Sequence, residues 1–137
     1  MHKLLLTFLA CGLAFATWAQ STVEGVYWTP DKKGKIEVYE QNGKLHARSI
    51  CCNENKLDEN NPNPDLRDRS TIGIDVLNNM KRRRGNYYTG GQLYNPETGK
   101  TYKARMWVID NGEKIKVKGY IGSPILGRTV VCERASR

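Results

Sequence analysis

The sequence predicts an all-β fold, a closed antiparallel up-and-down β-barrel of about eight strands with one long polar loop. Three observations carry this: apolar residues recur with a period of two, glycine-containing turns join successive runs, and one polar stretch fits no regular element.

The clearest alternation starts at Lys114, where Ile115, Val117 and Ile121 fall on one face and Lys114, Lys116 and Lys118 on the other. That is the pattern of a half-buried strand. Gly119 lies on the apolar face, where a missing side chain permits a bend, a bulge or close backbone approach. Upstream, Ala104, Met106 and Val108 alternate with Lys103, Arg105 and Trp107, and Ile36 and Val38 with Lys35, Glu37 and Tyr39. Asn42-Gly43 leads from the Ile36 run into Leu45, Ala47 and Ser49, and Asp110-Asn111-Gly112 leads into the Ile115 run. Both are hairpin signals, because a type I′ turn needs positive φ and Asn-Gly reaches it at little cost. Asn95 to Lys100, with Pro96 and Gly99, forms a third connection. Val23 to Thr29 supplies a first strand and Gly127 to Arg134 a last one. A meander of seven or eight strands leaves two open edges unless it closes, so a barrel is expected and a two-sheet sandwich is the alternative. Only Ile72 to Arg84, with Ile72, Val76, Leu77 and Met80 near one face, suggests a helix; Ile72-Gly73-Ile74 also fits a short strand.

Residues 1–19 combine Lys3, an apolar run and Thr17-Trp18-Ala19, which reads as a secretory signal peptide cleaved near Ala19. The apolar run is shorter than the ~20 residues of a spanning helix. Residues 20–137 then form a single β-barrel domain in the periplasm or outside the cell. Lys3 is the one charged residue removed, so 21 basic residues stand against 14 acidic ones, a net charge of +7. This favours anionic surfaces and makes peripheral membrane contact an option. Nucleic acid is not expected as a partner, because the basic residues are spread through alternating segments rather than lining one helix. Lys81-Arg82-Arg83-Arg84 is the exception, either a solvated loop or helix end or an electrostatic dock for phosphate or anionic lipid. Outside residues 1–19 the cysteines are Cys51, Cys52 and Cys132. One disulfide is expected, preferably Cys132 with Cys51 or Cys52 rather than a bridge between neighbours.

Asp58 to Gly73 reads Asp-Glu-Asn-Asn-Pro-Asn-Pro-Asp-Leu-Arg-Asp-Arg-Ser-Thr-Ile-Gly. On one reading its Asp and Asn side chains cap their own backbone, the prolines stiffen it, and Arg67 and Arg69 pair with Asp65 or Asp68. On the other it lids the barrel, with Asp58, Asn61, Arg67 and Arg69 directed at the polar end of a bound molecule, since arginine suits carboxylate or phosphate. A calcium site from Asp58, Glu59, Asn60, Asn61 and Asp65 lacks the spacing of an EF-hand, so no metal is expected.

The chain resembles the exported bacterial proteins of domain-of-unknown-function family 2147. The likeness rests on Gly25-Val26-Tyr27-Trp28-Thr29-Pro30-Asp31, Gly43-Lys44-Leu45, Asp58 to Arg69 with Ile72-Gly73, Gly91 to Tyr102, Lys118 to Gly122 and Leu126 to Thr129. It implies a small barrel of lipocalin or calycin type and brings no catalytic residues or cofactor. Gly25-x-aromatic also resembles the first-strand signature of such barrels, in which a tryptophan packs on an arginine of the last strand. Here Tyr27 takes that position and Trp28 follows, so Arg134, or else Arg128, is expected to stack on one of these rings as a structural closure. Asn63, Ser70 and Cys132 stand where the family tends to have aspartate, proline and tryptophan.

The expected function is a periplasmic or secreted binding protein holding a small amphipathic or anionic ligand in or at the mouth of the barrel. The alternative is an envelope interaction module that docks anionic lipid, polysaccharide or a protein through its basic surface. An enzyme is not expected: a hydrolytic triad would have to use His46, which lies in an ordinary strand pattern where a surface position is the usual one.

Overall fold

The computed structural model describes residues 22–51 and 56–136. The signal-peptide reading and Cys52 lie outside them. Eight strands follow in order: β1 (Gly25–Trp28), β2 (Lys35–Gln41), β3 (Lys44–Cys51), β4 (Asp75–Arg84), β5 (Tyr87–Asn95), β6 (Lys100–Ile109), β7 (Lys114–Tyr120) and β8 (Arg128–Ser136). Each pairs antiparallel with its sequence neighbours, and β8 returns to β1, so the sheet is a closed up-and-down barrel.

The period-two patterns set the register. Ala104, Met106, Ile115 and Val117 point inward and pair across β6 and β7, with Met106 opposite Val117 and Val108 opposite Ile115. Tyr27, Val38, Leu45, Ala47, Leu77, Met80 and Cys132 complete one buried cluster. The middle of the barrel is therefore filled by its own side chains, as expected at eight strands. The turns follow their sequences: Asn42 and Gly43 take φ of 54° and 74°, and Asp110, Asn111 and Gly112 take 50°, 54° and 85°. Ile121 lies beyond the end of β7 and is exposed, so the inward row ends at Gly119.

The segment with helical spacing, Ile72 to Arg84, instead contains the whole of the long strand β4. Asn79 has φ of 58°, and the β3–β4 register shifts between Leu45 and Ala47, which mark a bulge. One extra residue lets Leu77 and Met80 both face the core three positions apart, a spacing that imitates a helix. His46 holds this bulge. Its Nδ1 accepts from the Asn79 amide at 3.3 Å, and its ring stacks on Tyr39 with centroids 5.4 Å apart. His46 is thus buried, not a surface strand residue.

The expected pairing of Cys132 is corrected. Cys132 is a free, buried thiol on the inner face of β8, pushed up to about 11 by burial. Cys51 is disulfide-bonded at the end of β3, to a partner outside the described residues. Cys132 instead sits opposite Ile115 and fills core volume.

Candidate functional site

The two ends of the barrel are built differently. Short turns join β2 to β3, β4 to β5 and β6 to β7 at one end, while the long connections from β3 to β4 and from β7 to β8 lie at the other.

The polar stretch 56–73 lies at the second end against β5 and the β5–β6 turn, and its centre is Asp58, whose side chain is fully buried. Its Oδ2 accepts from Asn61 Nδ2 at 2.8 Å and from Arg69 Nε at 3.0 Å, and its Oδ1 accepts from the Tyr94 hydroxyl at 2.5 Å. Burial alone would raise the Asp58 carboxyl, but these donors outweigh it and hold it below its ordinary value. Burial, then the bond to Asp58, pushes the Tyr94 phenol up to about 12. Arg67 Nε donates to the Asn61 carbonyl at 2.8 Å, and the Asn61 and Asn63 side chains accept from the amides of Asn63 and Asp65. Pro64 opens a single 3₁₀ turn over Pro64–Leu66. Asn60 reaches the β5–β6 turn, donating to the Glu97 carbonyl at 2.8 Å. Gly99 of that turn has φ of 71°, and a Cβ there would overlap the Asn60 carbonyl. Gly99→Ala should therefore lower the unfolding midpoint by the equivalent of about 1–3 kcal/mol, through strain and an undocked loop. A melt matching wild type would contradict that seating.

The four residues expected to meet a ligand are thus together, but they face one another. None of Asp58, Asn61, Arg67 and Arg69 lines the large cavity at the other end of the barrel. A long connection must satisfy its own backbone groups, and here the side chains do that. The residue that sequence reasoning missed is Tyr94, which lies 36 positions away from Asp58 in the chain.

The cavity, of about 820 Å³, lies at the opposite end. Val23, Tyr88 and Val108 give it apolar surface, and Glu24, Glu40 and Arg82 give it charge. Arg82 lies two positions beyond Met80 and opposite Tyr88, so the inward row of β4 ends in a guanidinium. Its Nε donates to the Gly85 carbonyl at 2.8 Å, which fixes the side chain at the rim. Lys81 to Arg84 therefore end a strand rather than a helix, with Arg83 tied to the Thr89 hydroxyl at 2.6 Å. Burial raises the Tyr88 phenol above its ordinary value; Arg82 opposes the shift and Glu40 adds to it. The phenol is thus a neutral hydrogen-bonding group at physiological pH. Of the other carboxylates, Glu24 accepts from the Glu40 amide at 3.1 Å, and Asp110 pairs with Lys114 at 3.3 Å.

Arg134 fixes the rim. Its guanidinium stacks on Tyr27, 4.7 Å from the ring centroid, and donates to the Tyr27 hydroxyl and to the carbonyls of Thr22, Glu24 and Gly112 at 2.7–2.9 Å. Trp28 faces the other way and carries Lys35, 4.5 Å above its ring. Arg128 is exposed at the start of β8, opposite Gly119, and takes no part in this cluster.

A closed eight-stranded meander with a filled waist and an open cup at one end defines a small barrel of lipocalin type. A solved protein from Helicobacter pylori, HP1028, described as belonging to the lipocalin family, is 32% identical, with 84% of each chain covered and a TM-score of 0.75. No curated protein matches. Residues 25–134 match the family described as "Uncharacterized protein conserved in bacteria (DUF2147)", and the chain belongs to that family.

Proposed function

We propose that this chain is an exported binding protein that holds a small amphipathic molecule in the open cup. The observation that supports this most is the cavity itself, whose volume falls within the ~300–1,000 Å³ of small-molecule sites. The apolar body of the ligand rests on Val23, Tyr88 and Val108, and its polar head accepts from Arg82. Arg67 and Arg69 do not line this cup; they lie in the 58–73 loop at the other end of the barrel, with their Nε groups bonded to the Asn61 carbonyl and to Asp58. Binding is favoured over catalysis because His46, the one histidine outside residues 1–19, is buried and engaged at the bulge. Export rests on the composition of residues 1–19.

Titration calorimetry with dodecanoate, an amphipathic anion, tests the reading. Arg82→Gln should weaken binding about ten- to a hundredfold, the equivalent of a hydrogen bond to a charged group, and Val108→Trp should abolish it by filling the cup. Lys81→Gln serves as the matched charge control. No heat with dodecanoate, together with native mass spectra showing only bare protein after gentle purification, would refute the proposal.

A further inference from the structure

We infer that the β7–β8 tip and the outer face of β6 and β7 form a docking surface for an anionic lipid bilayer. The tip follows β7 and contains a short turn, Pro124–Leu126, that is built rather than slack. The Ser123 side chain accepts from the Ile125 amide at 3.3 Å, and the amides of Leu126 and Gly127 donate to the carbonyls of Ser123 and Pro124 at 3.2 Å. This turn holds Ile125 and Leu126 out from the barrel at 87% and 83% exposure, beside Ile121 at 64%. Three large aliphatic side chains standing in water from one fixed tip gain free energy by entering an acyl boundary.

Charge decides which apolar phase fits. Neither Lys100–Ile109 nor Ile115–Cys132 contains an aspartate or glutamate, yet they carry Lys100, Lys103, Arg105, Lys116, Lys118 and Arg128. Register places Arg105 opposite Lys118, and Lys103 opposite Tyr120, on the outer face next to the tip. The Lys118 stem lies against Gly127, and Arg128 follows directly. Acidic groups at this end belong to other elements: Glu97 in the β5–β6 turn, Asp31 beside Lys32 and Lys33, Glu37 paired with Arg48, Asp75 bonded to Tyr39, and the 58–68 loop with its own arginines. Trp107 and Tyr120, stacked by Lys116 at 4.7 Å and Arg105 at 5.6 Å, add rings suited to a headgroup layer. An apolar insertion with a basic collar supplies the two signals that stable peripheral attachment requires. A second copy of this chain would set the two collars against each other. Among the described residues no helix is long and apolar enough to cross a membrane.

Sedimentation of the purified protein with vesicles tests this. Binding is expected to vesicles of equal parts phosphatidylglycerol and phosphatidylcholine, to weaken in high salt, and to be slight with phosphatidylcholine alone. Ile125→Ser with Leu126→Ser should reduce it at least tenfold, and Lys103→Gln with Lys118→Gln about fivefold per charge removed. All four sites are at the surface, and unchanged thermal melts show that the fold is kept. Lys81→Gln with Arg84→Gln removes the same charge from the cup end and should leave binding near wild type. Val108→Trp should retain binding as well, which separates docking from lipid captured in the cup. Equal binding to both vesicle types, full binding by the Ile125/Leu126 variant, or a dimer in solution abolished by Ile125→Ser would each overturn the inference.

Discussion

Replacement of Asp58 by alanine is expected to destabilise the protein by about 2–4 kcal/mol, chiefly the cost of leaving buried donors without their acceptor, since the partly exposed Arg69 guanidinium can turn to water. The substitution removes the acceptor of the Arg69 guanidinium, the Asn61 amide and the Tyr94 hydroxyl, all of which converge on the carboxylate. Asp58→Asn keeps the shape but turns an NH2 group toward these donors, so it should recover only part of the loss. Tyr94→Phe removes a single bond and should cost about 1–2 kcal/mol.

The same cluster sets a pH window. The folded Asp58 carboxyl lies below its ordinary value of 3.8, so its contribution is complete above that value and disappears as pH falls through the folded one. The Tyr94 phenol is raised from 10.0 to about 12, so its contribution is complete below pH 10.0 and lost as pH rises toward 12. Equilibrium unfolding across pH should show both limbs in the wild type, a flattened acid limb in Asp58→Asn and a flattened alkaline limb in Tyr94→Phe. Parallel profiles for all three proteins would remove the cluster as their origin.

Arg134→Met is expected to cost about 2–4 kcal/mol, although it keeps an apolar stem against Tyr27. The seam it secures is thin, with register pairs only at Val26 with Ser136 and Tyr27 with Arg134. The guanidinium ties that seam to the β6–β7 turn and to residues 22–24. The stacking adds ~0.5–2 kcal/mol. Arg134→Lys should recover little, because an ammonium cannot reproduce a planar fork with four acceptors. Denaturant midpoints measure the loss, and hydrogen exchange should show the amides of β1 deprotected first. A change within about 0.5 kcal/mol would show that the backbone ladder alone closes the barrel.

Local alternation was enough to read most of this barrel, since the inward residues Ala104, Met106, Ile115 and Val117 are each announced by a charged neighbour. The same rule failed at β4, where one residue with positive φ converts a spacing of two into three. Cys132 was misassigned because oxidising compartments favour disulfides, whereas its neighbours on the inner face require a small apolar side chain. The composition of the 58–73 stretch already suggested that it caps its own backbone, but not its tie to Tyr94, which arrives from β5. The cup was harder still to read. Its residues are ordinary strand ends, gathered only by closure, although the parity of Arg82 with Met80 already placed that arginine on the inner face.

The tight turns at the open end have a kinetic consequence. Asn42-Gly43, Gly85-Asn86 and Asp110 to Gly112 are too short to fold over the cup, and the long β3–β4 and β7–β8 connections lie at the far end. Among the described residues none forms a lid over a molecule seated there, so its residence time is set by the contacts it makes with the walls and its arrival by diffusion to the rim.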